Sequence, residues 1–113
     1  MLYTEVTGEQ LIAATRLVAS RQPDKVVSRC QYSTGNGKIP VCLIGHAFHE
    51  LQVPLSTLPN EPIDVIMGET GMATVKQTKW LEKAQLIQDS EFTWAEAIAS
   101  ADAAVAKMEE IAE

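Results

Sequence analysis

The sequence predicts an α+β fold, mainly α: one β-hairpin packed on an N-terminal helix, a short central helix and a C-terminal antiparallel helical hairpin. Three observations lead there. Two capping boxes, Thr7–Gln10 and Thr93–Glu96, each stand just ahead of an apolar periodic run. The turn signal Gly35-Asn36-Gly37 separates two short runs that read as strands. From Trp94 onward, apolar residues recur at spacings of 4, 3, 4, 3 and 4, which marks a narrow helical seam.

The first helix is expected to take Thr7 as N-cap, with Gln10 reaching back to an orphan amide and Val6 and Leu11 as a hydrophobic staple. Leu11, Ala14, Leu17 and Val18 mark its apolar face, Arg16 and Arg21 suit its C-terminal end, and Pro23 stops it. After Pro23, a turn centred on Asn36 would set Thr34 opposite Lys38, Tyr32 opposite Pro40 and Cys30 opposite Cys42. Pro40 cannot donate to a ladder, so the second strand is an edge or short.

A short helix over Leu43–Leu51 buries Leu43, Ala47 and Leu51, flanked by Ile44 and Phe48, and ends ahead of Pro54. A further helical turn fits Leu55–Leu58. From Pro59 to Gly71 a connector drops Ile63, Val65 and Ile66 into the core, and 63–67 reads equally as strand or helical turn. A helix from Gly71 to Gln88 aligns Met72, Val75, Leu81, Ala84 and Ile87 with Trp80 adjoining. After a break at Asp89–Phe92, the last helix starts at Thr93 with Phe92 and Ala97 as staple. Its seam is Trp94, Ile98, Ala101, Val105, Met108 and Ala112.

At 113 residues, with 46% hydrophobic and 21% charged, the chain is sized for a single domain over 1–113 and composed like a folded one. No apolar run approaches the roughly 18–20 residues that span a bilayer. The acidic start MLYTEVTGEQ lacks signal-peptide character, so a cytoplasmic setting with reduced cysteines is the expectation. Charge is uneven: residues 61–113 hold four lysines against eleven carboxylates, out of a net −6 for the chain. That half repels phosphate backbones and anionic lipid, which argues against nucleic acid and membrane and favours a basic protein surface. Plain solvation of helices is the simpler explanation of the acidic residues.

The chemical cluster is Cys30, Cys42, His46 and His49. Two thiols and two imidazoles form a zinc ligand set, yet C-x11-C-x3-H-x2-H matches no finger spacing. Packed thiols with surface histidines are the simpler reading, and no cofactor is expected. A Cys42–His46 nucleophilic pair would need an oxyanion hole, for which no motif appears. A Cys30–Cys42 disulfide is geometrically allowed but opposed by a reducing compartment. HAFHELQVPLSTL outlines a helix-turn-helix, but Pro59 cuts its second helix, which carries no Arg, Lys, Asn or Gln to read a base. Trp80, Trp94 and Phe92 are interface anchors or, more simply, core.

Two segments carry a resemblance. Tyr32, Cys42, Leu43, Ile44, Gly45, Leu51, Val53 and Pro54 match a pattern of a Tyr-containing hairpin, Cys-[Leu/Ile]-[Ile/Val]-Gly, a short helix and Gly-Val-Pro; KAQLIQDSEFTWAEAIASAD matches a Gln-rich helix, an acidic turn and a Trp-Ala helix start. The chain thereby resembles small uncharacterised proteins of actinobacteria and their phages. Gln52 stands where that pattern has Gly. The resemblance implies an actinobacterial or phage setting and supplies no activity.

The function expected is a non-enzymatic interaction or regulatory protein, phage-encoded, that occludes a host protein. Its candidate contacts are Gly35, Asn36, Lys38, Gln52, Pro54, Glu82, Asp89, Glu91, Glu109 and Glu110. The alternatives are a zinc-stabilised module, then a DNA-binding protein or a Cys42 enzyme. Homodimerisation through the 94–112 seam is a further expectation.

Overall fold

Helix starts organise this molecule. The computed structural model describes residues 1–27 and 31–112, with side chains through Glu109. Among the described residues there are five α-helices, α1 (Gly8–Arg21), α2 (Leu43–Glu50), α3 (Ile63–Thr70), α4 (Val75–Asp89) and α5 (Trp94–Ala112). One antiparallel hairpin, β1 (Ser33–Thr34) and β2 (Ile39–Pro40), precedes α2. The expected mainly α architecture with a single hairpin is therefore what the chain adopts.

Both expected capping boxes form. Thr7 accepts from Gln10 N at 3.1 Å while Gln10 Oε1 accepts from Thr7 N, and Val6 and Leu11 are fully buried beside them. Thr93 and Glu96 exchange the same bonds ahead of α5. The second staple differs from expectation, because Phe92 is half exposed and only Ala97 goes inside. A third box, Thr74 with Gln77, starts α4 at Val75 rather than Gly71. Gly71 instead ends α3 in the left-handed conformation, at φ 67°. The segment 63–67, open in sequence, is the first part of α3.

The apolar faces differ from expectation at single positions in three helices. In α1, Leu17 is exposed and Thr15 and Ala19 are buried. Thr15 enters the core because its hydroxyl donates to Leu11 O within the helix. In α3, Met67 replaces Val65 inside. In α4, Val75 is 80% exposed, and the buried line is Trp80, Leu81, Ala84 and Gln88. The α5 helix packs on α4 as an antiparallel helical hairpin; of its seam, Trp94 and Ala101 are buried within the chain, while Ile98, Val105 and Met108 are only partly buried. Trp80 and Trp94 are core.

The hairpin register also differs. Thr34 pairs with Ile39 and Ser33 with Pro40, and Gln31 O accepts from Cys42 N at 3.2 Å. The turn is thus the two-residue Asn36-Gly37, with φ of 58° and 84° and Lys38 N donating to Gly35 O. Two central residues with positive φ match the right-handed twist of the flanking strands, which a turn centred on Asn36 alone does not. Cys30, expected opposite Cys42, lies outside the described residues. Leu55–Thr57 forms a single 3-10 turn, so no recognition helix follows α2.

α2 ends in a Schellman motif. Val53 N donates to Phe48 O at 3.0 Å and Gln52 N to His49 O at 2.9 Å, and Val53 and Phe48 are both buried. Gln52 occupies the left-handed position at φ 60°, the place where the resembled pattern has Gly. Gln52→Gly is expected to raise stability by about 0.5–1 kcal/mol, because a side chain in this conformation is strained. A urea midpoint that falls would refute this reading of the motif.

Candidate functional site

Four helices bury amides that their own sequences cannot cap. Leu43 N, the first of α2, donates to Gln88 Oε1 at 2.6 Å; Ile63 N, the first of α3, donates to Gln85 Oε1 at 2.8 Å. Trp94 N and Ala95 N at the start of α5 donate to Lys25 O and Pro23 O, each at 3.0 Å, and Gly8 N of α1 donates to Met72 O at 2.9 Å. These groups are among the orphan donors every helix start carries. The two glutamines use both ends of the amide. Gln88 Nε2 donates to Val27 O at 3.2 Å and Asp89 Oδ1 at 2.9 Å, and Gln85 Nε2 donates to Tyr32 Oη at 3.0 Å. Tyr32 Oη in turn donates to Glu61 O at 2.6 Å, and burial, above all, holds the phenol well above its ordinary pKa.

Sequence reasoning missed Gln85 and Gln88. The signal was present: Gln88 continues the core line of Leu81 and Ala84 at helical spacing, and an amide on an apolar face implies a buried partner. Arg16 was read as a macrodipole partner and has a larger role. Its guanidinium donates to both Asp102 oxygens, at 3.1 and 2.6 Å, and stacks over Trp80 with 5.0 Å to the ring centre. Trp80 Nε1 donates to Asp102 at 2.8 Å, so one carboxylate joins α1, α4 and α5. Each member of the Arg16–Asp102 pair is 47% exposed, which limits its strength.

The cysteine–histidine stretch does not converge. Cys42 is buried at the N-cap of α2, where its Sγ accepts from Gly45 N at 3.3 Å. Burial pushes its thiol up to about 12, so the thiolate that a nucleophile requires is disfavoured. His46 is half-buried, its ring 5.1 Å from that of Trp94, whose other neighbour is the Lys25 ammonium at 5.3 Å. Trp94 Nε1 is buried with no acceptor among the described residues. His49 is exposed. Among the described residues, no group of three or more His, Cys, Asp or Glu side chains is placed to hold a metal ion.

Two outcomes follow from this placement. Cys42 is expected to stay unmodified by a thiol alkylating reagent in the folded protein and to react once urea unfolds it; modification under native conditions would overturn its burial. His46 is held below its ordinary pKa, chiefly by burial and then by Lys25 and His49. The folded state thus favours the neutral ring. Its contribution is fully present above the unfolded value of about 6.5 and is lost as pH falls toward the lower folded value. Urea midpoints should therefore decline as pH falls through and below the unfolded value of about 6.5, and His46→Gln should flatten that slope.

The expected contact residues divide. The hairpin turn and the loop after α2 come together: a Cβ on Gly37 would overlap the Ser56 backbone, and Gly37, His49, Glu50, Gln52, Val53, Pro54 and Leu55 line one open cleft of about 640 Å³. Glu82, Asp89, Glu91 and Glu109 do not line that cleft. Glu82 pairs with Lys79 at 3.2 Å and Glu109 with Lys76 at 2.7 Å, while Asp89 accepts from Gln88. Glu91 sits at the end of α4 in a left-handed conformation, φ 66°. The Glu110 side chain lies outside the described ones. No helix among the described residues is long and apolar enough to cross a membrane.

Fold and surface together define a small mainly α domain with a hairpin-bounded cleft. Comparison with family models, curated proteins and solved structures returned no match.

Proposed function

We propose that this chain is a non-enzymatic protein-binding factor of an actinobacterial or phage setting that acts by occluding a host protein. One observation carries the reading. Gly37 of the hairpin turn and Gln52–Pro54, remote in sequence, line a single open cleft, and Gln52 stands there in a left-handed conformation that glycine adopts with less strain. Residues held in such conformations cluster at binding surfaces, where the side chain itself is needed. The groups that would serve chemistry, by contrast, are engaged in structure: Cys42 caps a helix and His46 packs on Trp94.

Photo-crosslinking tests it. A benzophenone amino acid placed at Lys38 or Gln52 in the intact protein should give one discrete adduct in host lysate, and the same group at the exposed Ala99 should not. Excess unlabelled protein should suppress the adduct, and excess protein carrying Q52G should suppress it less. An adduct pattern identical at all three positions, or none at any, would refute the assignment of this face.

A further inference from the structure

The hairpin turn carries a chemical property that the fold leaves available. Asn36 is exposed at the tip and is followed by Gly37, which has no side chain to shield its backbone nitrogen. The Gly37 N–H has no acceptor among the described residues; the turn is closed by Lys38 N to Gly35 O at 3.2 Å. The strands on either side are two residues long, so local opening disrupts little pairing.

From this placement we infer that Asn36 is a self-modifying site, at which spontaneous deamidation alters the cleft. The Gly37 backbone nitrogen, losing its proton to solvent, attacks the Asn36 side-chain carbonyl carbon. A new C–N bond closes a cyclic imide, the bond to the side-chain nitrogen breaks, and ammonia leaves. Water then opens the imide at either carbonyl, leaving aspartate or isoaspartate at position 36. No oxidant, reductant or metal takes part. Intramolecular delivery supplies the rate, because nucleophile and carbonyl belong to adjacent residues.

The consequence is structural. Isoaspartate routes the main chain through the former side-chain carbon, adding one backbone atom between residues 36 and 37. Gly37 abuts the Ser56 backbone so closely that even a methyl group would overlap it. The turn also runs through three successive positive φ values, at Gly35, Asn36 and Gly37. The longer backbone cannot keep both features, so Gly37 leaves Ser56 and the cleft wall moves, with a new carboxylate at its edge. This effect on partner binding rests on the proposed function; the modification itself does not.

Asn60, followed by Glu61, is the chain's other asparagine and serves as an internal control. Folded protein is held at mildly alkaline pH and sampled over days, then digested with trypsin; the peptide from Cys30 to Lys38 is examined by mass spectrometry with isoaspartate-specific methylation. Asn36 is expected to convert about ten-fold faster than Asn60 or more. Equal rates at the two sites in folded protein, with Asn36 faster only in urea, would overturn the inference. Aged protein should lose the Gln52 crosslink, whereas N36D, which adds charge without a backbone atom, should lose less of it. Full crosslinking by fully converted protein would overturn the effect on the cleft. Conversion of Asn36 in a protein whose fresh form gives no crosslink would leave the modification standing and remove the proposed function instead.

Discussion

Replacing Gln88 by leucine is expected to destabilise the protein by about 2–4 kcal/mol, because Leu43 N and Val27 O both lose their partner and burying an unsatisfied polar group costs about 1–3 kcal/mol. Leucine approximates the volume of glutamine, so the loss reports hydrogen bonding more than a cavity. Gln88 is 1% exposed, and water cannot readily replace the amide. Gln88→Glu separates the two ends of the side chain. A carboxylate still accepts from Leu43 N but no longer donates to Val27 O or Asp89, and it places a second negative charge beside Asp89. That variant should be least stable at high pH and recover as pH falls and the carboxyl gains a proton. Gln85→Leu should be milder, since Tyr32 Oη keeps its bond to Glu61 O. Equal urea midpoints for wild type and Gln88→Leu would remove the glutamine from its place as a helix cap.

Adding one methyl group to Gly45 should be comparably damaging, although the same change ordinarily helps a helix. Gly45 is the third residue of α2, within its first turn, and inside a helix alanine is normally favoured over glycine by about 0.5–1 kcal/mol. Here a Cβ would overlap the Tyr32 carbonyl, with the Tyr32 carbon at 2.8 Å and its Cα at 3.0 Å. Those are backbone atoms of the segment leading into the hairpin, and Tyr32 is anchored at its other end by Glu61 and Gln85. Neither side can retreat, so Gly45→Ala is expected to lose about 3 kcal/mol, the upper part of the range for overpacking. Gly68 in α3 is the control. An added methyl there meets nothing within 4 Å, and Gly68→Ala should gain about 0.5–1 kcal/mol. Thermal melts of the two variants should move in opposite directions. A Gly45→Ala protein as stable as wild type would mean that α2 and Tyr32 do not approach as closely as described.

One corner of the molecule gathers several of these constraints. Gly45 is required by close approach to Tyr32, and Gln52 occupies a left-handed helix end where Gly is the usual occupant. Tyr32 is tied to α4 by the bond from Gln85. The hairpin, α2 and α4 meet there. Cys42 and His46 are structural too, through the α2 cap and the packing against Trp94.

Local chemistry was legible wherever neighbours in sequence are also partners. The boxes at Thr7 and Thr93 join residues three apart, so their bonds could be read directly, as could the stops at Pro23 and Pro54. The short helix and the α4–α5 hairpin followed from periodicity. What stayed hidden depended on distance along the chain. Gln88 caps a helix 45 residues away and Arg16 meets Asp102 across 86, and no local pattern encodes either. The changes of inward residue in α1, α3 and α4 have the same origin, since the inward face is set by what each helix packs on. The sequence by itself determined the elements, their starts and most of their ends, because capping, turn chemistry and periodicity act over a few residues. Only the tertiary structure decided that α4 would supply the caps of α2 and α3, that Trp94 and Ala101 of the α5 seam would be buried within the chain, and that Gly37 and Gln52 would share a cleft. Buried amides must be paired and close-packed surfaces must fit, and both conditions are met by residues that only folding brings together.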